Sequence, residues 1–551
     1  MPLAAVSEKT FGREVLGAAI PVLVEFSAEH APSHAALCDL SNEMAGTIKV
    51  VRVDVGQHPT LKDEYGVRGL PTHILFKFGK PVSRRLGGLS SKAELREWIA
   101  GALILALATR RISIARSATH FKMANGMEVV VIPDHRAPVV THMVWFRVGA
   151  ADDPKDFSGI SRLVEHLTFK SLDRITDGDF SKTILRLGGQ ADAFIYRDAT
   201  VFWQSVPGDQ LKMAMESEVD RMINLHVTDD EVASEREVIL EQRRSEMAND
   251  PGARLVHEMN AALYRAHPYG RPVIGLPSEL ARLSREDVQR FHKLHYAPNK
   301  AILVVSGDVT SEEVKQLAHE TFGRIPANPN VAQRPRLKEP PQIAARRVTL
   351  EATHSKTARF YRTYSLPGSA TAARGETEAL EVLAKILARG ITSRLYRKLV
   401  IEDKISTSVT GNYLGNTLEA AELELMALAT DGDLSAIEAG VDEVIEDIRK
   451  NGVTQEELAC AKRSLVAGYI YGSADQFTLS QRYGWAAALG LTIKDAEDRP
   501  AAISRVSAAD IAKVATKYLI ARRSVTGWLC CRREGRNARP IQASAAARRH
   551  I

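Results

Sequence analysis

Residues 159–170 read Gly159-Ile-Ser-Arg-Leu-Val-Glu-His-Leu-Thr-Phe-Lys170. We predict a helix around Ile160–Phe169, on which Glu165 and His166 are adjacent. A carboxylate beside an imidazole is typical of metal and acid–base sites, but a Glu-His pair on a helix means little by itself. The sequence around the pair therefore decides what kind of site it belongs to.

Several stretches that follow this helix share the pattern of one known family. They are Leu187-Gly-Gly189 with Ala193 and Asp198-Ala-Thr200 behind it, Ala266-His-Pro-Tyr-Gly-Arg-Pro-Val-Ile-Gly275, Tyr296-Ala-Pro-Asn299 and Val305-Ser-Gly-Asp308. Together they resemble the pitrilysin/insulinase-type zinc peptidases, and bacterial processing-peptidase-like members most closely. The resemblance covers about 112–530. It implies two homologous α+β domains and a strand, at Asp192 and Ala193, that contacts peptide.

The resemblance also implies a zinc site of the inverted type, with H-x-x-E-H on one helix and a glutamate from a later helix as third ligand. On this motif Glu165 matches the general base and His166 the second ligand, but Arg162 stands at the first histidine position. The later run Glu235-Arg-Glu-Val-Ile-Leu-Glu-Gln242 ends with Gln242 at the third ligand position. One ligand of three, His166, is therefore retained.

The substitutions are complementary in charge. Arginine cannot lose its proton to become a ligand, and Arg162 lies three residues before Glu165. We therefore predict an ion pair between them, with the guanidinium in the space that zinc fills in the family. Glu241 should point away from Gln242, since adjacent helical positions differ by about 100°. We expect no cofactor, and zinc only if the site works with atypical ligands.

The family also needs an arginine and a tyrosine, seven residues apart, from a second domain or a partner subunit to hold peptide and oxyanion. The matching stretch is Leu399-Val-Ile-Glu-Asp-Lys-Ile-Ser-Thr-Ser-Val409, with Val400 and Thr407 at those positions. A homodimer could not supply the missing pair either. Family members build a clamshell from four such domains and this chain supplies two. We expect peptide as ligand and another peptidase-family chain, identical or different, as partner.

Residues 21–102 resemble thioredoxin. The resemblance rests on Val22-Leu-Val-Glu-Phe-Ser-Ala-Glu29, Val51-Arg-Val-Asp-Val55 and Tyr65-Gly-Val-Arg-Gly-Leu-Pro-Thr72. In that family a Cys-x-x-Cys pair opens the first helix, whose N-terminus favours the thiolate. Here Ala31 and His34 occupy the two positions, so disulfide exchange is excluded. Pro71 matches the cis-proline that contacts extended substrates, so the unit is either a docking surface or a spacing module.

The order of predicted elements repeats along the chain, since helices, two strands and a long helix occur in the same sequence in 112–330 and in 346–531. We therefore predict a multidomain protein. It has a redox-inactive α/β thioredoxin-like domain at 1–108 and two homologous α+β metallopeptidase-like domains at 112–330 and 346–531. A Pro-rich linker at 331–345 joins them, and a disordered basic tail follows at 532–551.

The composition indicates the setting in which the chain works. The net charge of +6 lies partly in the tail, with no basic stripe interleaved with aromatics, so we expect no nucleic-acid partner. No run of about 18 apolar residues occurs, so we expect no membrane partner. Four cysteines in 551 residues, none in a Cys-x-x-Cys pair, favour a reducing compartment. We expect a cytoplasmic protein.

Three functions stay open from the sequence. The favoured one is a non-catalytic family member, a peptide-binding or partner subunit of a clamshell peptidase complex. The second is a stand-alone scaffold or peptide-binding protein that docks through its thioredoxin-like unit. The third is an active zinc metalloendopeptidase with atypical ligands, in which Glu165→Gln would abolish activity.

Overall fold

The computed structural model describes residues 3–18, 20–28, 34–44, 47–67, 69–77, 80–86, 98–99, 118–175, 179–331, 334, 338–352, 355 and 357–531. The chain divides into two compact units, Met1–Ser117 with Ala467–Tyr471, and Ala118–Val466 with Gly472–Ile551. The predicted tail at 532–551 lies outside the described residues. None of the described helices combines the length and the apolar character needed to cross a membrane.

The first unit has the predicted α/β architecture. Its strands are β1 (Ala4–Ala5), β2 (Val22–Ser27), β3 (Lys49–Asp54), β4 (Thr72–Lys77) and β5 (Lys80–Leu86), and its helices are α1 (Glu8–Phe11), α2 (His34–Glu43) and α3 (Pro59–Glu64). The strand order is β1-β3-β2-β4-β5, with β1, β3 and β2 parallel and β4 and β5 antiparallel. All six residues of β2 are buried, because apolar clusters cover both faces of the sheet.

The second unit begins with a half that carries the Glu-His helix. Its strands are β6 (Thr119–Lys122), β7 (Glu128–Pro133), β8 (Val139–Phe146), β9 (Gln190–Ile195), β10 (Thr200–Pro207) and β11 (Ala301–Gly307). Its helices are α4 (Ile160–Ile175), α5 (Asp179–Arg186), α6 (Leu211–Ile223), α7 (Asp229–Asn249), α8 (Pro251–Leu263), α9 (Pro277–Leu280), α10 (Arg285–His295) and α11 (Ser311–Glu320). The described residues of the predicted linker, which follow α11, form no helix or strand.

The other half follows that linker. Its strands are β12 (Arg346–Ala352), β13 (Arg359–Pro367), β14 (Ser406–Leu414), β15 (Ala420–Ala429) and β16 (Ser524–Cys531). Its helices are α12 (Glu376–Ala388), α13 (Arg394–Tyr396), α14 (Leu434–Asn451), α15 (Gln455–Gly472), α16 (Gln476–Ala488), α17 (Ile493–Arg505) and α18 (Ala508–Tyr518), with a π-helical turn at Arg397–Glu402.

The two halves of the second unit repeat one sheet topology. The strand order is β7-β11-β8-β10-β9 in the first sheet, which β6 extends, and β12-β16-β13-β15-β14 in the second. In both sheets the first pair is parallel and the remaining pairs are antiparallel. The predicted duplication of an α+β domain is therefore confirmed.

Each sheet is covered on one face by a helix from the other half. Helix α8 packs on β12 and β16 of the second sheet, and α16 packs on β8 and β11 of the first. Gly484 of α16 lies directly against the Trp145 indole, where a side chain would collide with the ring. The two halves thus share their apolar cores and form one body.

Candidate functional site

Helix α4 begins against a buried carboxylate. Asp153 accepts hydrogen bonds from the main-chain N–H groups of Gly159 at 2.7 Å and Ser161 at 3.2 Å, which satisfies donors of the first turn. Gly159 has φ +89°, and a Cβ there would lie 2.6 Å from Leu280. The glycine and the carboxylate together fix where the helix starts, and with it the position of the residues one turn later.

The apolar face of α4 packs on the first sheet through Ile160, Leu163 and Leu167. Helix α7 packs beside α4. It starts at a capping box, in which Thr228 accepts from the Glu231 N–H at 3.2 Å and the Glu231 carboxylate accepts from the Thr228 N–H at 2.7 Å. Two well-anchored helices therefore carry the residues of the motif.

Arg162 and Glu165 form the predicted ion pair. Arg162 Nη1 donates to Glu165 Oε2 at 2.6 Å, and Glu165 is only 5% exposed. Burial raises the pKa of the Glu165 carboxyl, and the charge and hydrogen bond of Arg162 act against that rise. The carboxylate at the general-base position is thus engaged by the residue at the first ligand position.

His166 is held by the residue that begins the later glutamate run. Its Nδ1 lies 3.3 Å from Glu235 Oε2, and Lys170 Nζ donates to Glu235 Oε1 at 2.7 Å. Burial and then the Arg162 charge lower the pKa of His166, and the hydrogen bond and charge of Glu235 act against that shift. Burial works to raise the pKa of Glu235, but the bonds from Lys170 and His166 outweigh it and the net shift is downward.

Gln242 is exposed on α7, and its neighbour Glu241 points elsewhere, as expected. Glu241 pairs with Arg244 at 2.6 Å. Zinc would therefore meet one imidazole, an amide and a carboxylate already bound to Arg162, a donor set that does not fit the metal. Among the described residues, no group of three His, Cys, Asp or Glu side chains is placed to hold a metal ion.

Both substituted ligand positions face one cavity of about 570 Å³, which we name the α4–α7 cleft. Its lining is Arg162, Ile195, Arg197, Gln242, Glu246, Ala253, Val256, His257, Asn260 and residues 270–274. The cleft thus lies between α4, α7, α8 and the end of strand β9. It is the place where a ligand on β9 would meet the motif residues.

Strand β9 is the edge of the first sheet, paired with β10 on one side. Asp192 is exposed, and Ala193 is partly buried against the core beneath α4. The main-chain N–H of Ala193 donates to Asp192 Oδ1 at 2.8 Å. An edge strand presents unpaired main-chain groups to a further strand, so the two residues predicted to contact peptide lie where an extended peptide could pair.

The second-half positions lie on different elements. Val400 is half-buried in the π-helical turn, and Thr407 is exposed at the start of β14. Thr407 is an extra residue in its strand, because Ser406 pairs with Ala429 and Ser408 with Leu428. Neither Val400 nor Thr407 is among the described residues that line the α4–α7 cleft.

The predicted residues of the first unit are only partly described. The Leu70–Pro71 peptide bond is cis, as the resemblance to thioredoxin implied for Pro71. His34 is the first residue of α2. Ala31 and the His34 side chain lie outside the described residues.

A buried polar network behind α4 was not predicted. The side chains of Glu218 and Arg221 are fully buried and paired at 3.1 Å, and the Arg221 guanidinium lies 4.3 Å from the Phe202 ring. Gln204 donates to Glu218 and bonds His142 Nδ1 at 2.8 Å. Glu218 and Arg221 are three residues apart on α6, a spacing that favours an ion pair, but nothing in the sequence indicates that the pair is buried.

Comparison with known families agrees with this geometry. A model described as insulinase, peptidase family M16, matches 128–276, one described as the peptidase M16 inactive domain matches 282–465, and a thioredoxin model matches 2–101. The zinc protease PqqE of Helicobacter pylori is 27% identical over 350 residues, which are 63% of this chain and 78% of that protein. A zinc protease of Mycobacterium leprae is 29% identical over 349 residues, 62% of this chain and 76% of that protein.

Solved structures share the fold of the second unit. The crystal structure of a protease from Helicobacter pylori has a TM-score of 0.70 and 25% identity, over 75% of this chain and 99% of that one. A peptidase M16 inactive domain from Pseudomonas fluorescens has a TM-score of 0.68 and 17% identity, over 76% of this chain and all of that one, and shares the fold alone. The models of the two M16 domains match consecutive parts of the second unit. This chain therefore belongs to the insulinase (M16) peptidase family and carries a thioredoxin domain before its two M16 domains.

Proposed function

We propose that this chain is a non-catalytic M16 subunit that binds extended peptide along β9 and completes a clamshell with another peptidase-family chain. The observation that carries the proposal is the 2.6 Å bond between Arg162 and Glu165. It holds a fixed cation at the first ligand position, and it engages the carboxylate that would have to activate water. One contact therefore acts against both metal binding and general-base catalysis.

The remaining chemistry supports the same conclusion. Peptide hydrolysis by this family's route needs a metal-bound water, a base and a donor for the oxyanion. If Glu165 were released to act as a ligand beside His166, the base would be lost. Val400 has no polar group, and a threonine hydroxyl at position 407 has neither the reach of tyrosine nor the charge of arginine. The metal ligands and the oxyanion donors thus lack their residues, and the base that remains, Glu165, is bound to Arg162.

Peptide binding is supported by what the scaffold keeps. Strand β9 retains its place as an edge next to the α4–α7 cleft, and the buried core beneath Ala193 is continuous with α4. Strand addition uses main-chain hydrogen bonds for affinity and neighbouring pockets for specificity, and neither needs a metal. Loss of catalysis therefore leaves this mode of binding intact.

A partner chain is supported by the two-domain count and by exposed apolar side chains in the second half. Ile391 is 75% exposed and Ile401, next to Val400, is 58% exposed. Apolar surface of this kind is typical of a face that another protein covers. The first unit, with Ala31 and His34 at the cysteine positions, serves in this proposal as a redox-inactive docking surface, and the complex resides in the cytoplasm.

Purification from the native source, with mass spectrometry of the proteins that accompany the chain, tests the partner. We expect a stable complex with another M16 chain. Incubation of the purified chain with a mixture of undecapeptides tests for peptide cleavage. We expect the peptides to bind to the chain and to remain uncleaved. Cleavage that Glu165→Gln abolishes would identify an active peptidase instead. Peptide retention by a chain that purifies alone would identify a stand-alone binding protein.

A further inference from the structure

Three arginines line the α4–α7 cleft, against a single acidic residue. Arg162 comes from α4, Arg197 follows β9, and Arg271 belongs to the loop after α8. Among the described lining residues, Glu246 is the only carboxylate, and it is exposed on α7. The wall of the cleft is therefore cationic.

The carboxylates that pair with two of these arginines stand behind them. Glu165 and Glu422 are 5% and 1% exposed, and neither is among the residues that line the cleft. Glu165 receives its bond from Nη1 of Arg162, and Glu422 pairs with Nη1 of Arg197. A guanidinium has five N–H donors in a fixed fork, so each of these side chains keeps donors for a ligand while its partner holds it in place.

Arg271 is held without being neutralised. Its Nη1 and Nη2 donate to the main-chain carbonyl oxygens of Pro154 at 3.1 Å and Asp153 at 2.8 Å. No carboxylate of the described residues lies within ion-pair distance of Arg271. Its guanidinium is thus held at the rim of the cleft by two neutral carbonyl groups, and the buried Asp153 carboxyl interacts with its charge without forming an ion pair.

We propose that the α4–α7 cleft binds a carboxylate group of the peptide that lies on β9, either an Asp or Glu side chain or the C-terminal carboxylate. The inference rests on the proposed peptide binding and names its ligand class. A carboxylate accepts paired hydrogen bonds from guanidinium groups, and such charge-assisted bonds are stronger than neutral ones. At the place where a zinc peptidase polarises a peptide carbonyl group, this cleft binds a carboxylate.

Fluorescence anisotropy with four labelled octapeptides tests the proposal on the full chain. The peptides share one Val/Thr-rich sequence and differ in a central Glu or Gln and in a free or amidated C-terminus. We expect at least one acidic peptide to bind about tenfold more tightly than the neutral Gln amide. Preference for Glu with an amidated end assigns the site to a side chain, and preference for Gln with a free end assigns it to the C-terminus.

Variants separate this cleft from general attraction by charge. Arg271→Gln should reduce the ratio of the affinity for the acidic peptide to that for the neutral peptide by about tenfold. Arg244 is exposed on α7, pairs with Glu241 and is not among the residues that line the cleft. Arg244→Gln removes an equal charge and should leave the preference for acidic peptides unchanged. Equal binding of acidic and neutral peptides by the unsubstituted chain would overturn the carboxylate site and leave peptide binding standing. Absence of binding by all four peptides would overturn both.

Discussion

Arg162 Nη1 and Glu165 Oε2 lie 2.6 Å apart on successive turns of α4, and the carboxylate is almost completely buried. Arg162 keeps 22% of its side chain open to solvent, so the pair joins a partly exposed cation to a buried anion. Removal of the arginine would leave a buried charge without its counter-ion, which is far more costly than loss of a surface pair. The ion pair therefore stabilises α4 relative to a helix in which Glu165 is buried without a partner.

Arg162→Ala should lower the free energy of unfolding of the second unit by about 2–3 kcal/mol, because Glu165 then remains buried and unpaired. Glu165→Gln should relieve most of that loss when the two changes are combined. Urea unfolding of the single and double variants measures this coupling. Arg244→Ala, which breaks an exposed pair with the same i,i+3 spacing, should cost less than about 0.5 kcal/mol. Additive losses for Arg162 and Glu165 would contradict the account.

Gly159→Ala should destabilise the second unit by about 2 kcal/mol more than Gly188→Ala. Both glycines have positive φ, +89° and +71°, so both substitutions carry backbone strain. A Cβ at position 159 would also lie 2.6 Å from a Leu280 methyl group, whereas position 188 has open space. The difference between the two urea midpoints isolates the steric cost, and equal midpoints would show that α4 can start elsewhere.

Asp192→Ala should strengthen the binding of a neutral extended peptide by about threefold, because the Ala193 N–H is released from the Asp192 carboxylate. Asp192→Asn keeps an acceptor oxygen and removes the charge, so it should leave the affinity close to that of the unsubstituted chain. Anisotropy titrations compare the three proteins. If both substitutions raise the affinity equally, charge rather than the freed N–H is responsible.

Glu424 should make stability depend on pH. Burial, and then the neighbouring Glu422, raises the pKa of Glu424 from its ordinary 4.5 to about 7. The folded chain then binds this proton more tightly than the unfolded chain. The stabilisation that this proton gives to the folded chain is complete below about pH 4.5 and is lost as the pH rises towards about 7. The free energy of unfolding falls by about 2 kcal/mol over this range, after allowance for the partial exposure of Glu424.

Glu424→Gln should remove this slope, so the variant gains stability over the unsubstituted chain between pH 5 and pH 7.5, as measured by urea midpoints at several pH values. Glu402→Gln, at an exposed position of the π-helical turn, is the matched control and should leave the slope unchanged. A slope that persists in the Glu424 variant would assign the pH dependence to other groups.

Local sequence signals predicted the elements well. The two strands and the long helix predicted in each half are β9, β10 and α6 in the first half and β14, β15 and α14 in the second. The duplicated topology followed from the repeated order of these elements. The Arg162–Glu165 pair followed as well, because i,i+3 spacing on one helix brings side chains together whatever the tertiary structure.

Relationships between distant segments were not predictable in the same way. Arg197 and Glu422 are 225 positions apart and meet because α8 and α16 each cover the sheet of the other half. An arginine on an amphipathic helix is normally exposed, but Arg221 is buried against the rings of Phe202 from β10 and Phe169 from α4. Arg162 followed from the motif, but its meeting with Arg197 and Arg271 in the α4–α7 cleft follows from the fold.

The zinc content of the purified chain tests the central claim most directly. After expression with added zinc and dialysis against zinc-free buffer, mass spectrometry of the metal should give well under 0.1 zinc per chain. The variant with Arg162→His and Gln242→Glu restores both ligand positions and should retain about one zinc per chain. The control variant with Arg162→His and Gln289→Glu makes the same charge changes but has its carboxylate on another helix, so it should not retain zinc. About one tightly held zinc in the unsubstituted chain would contradict the account.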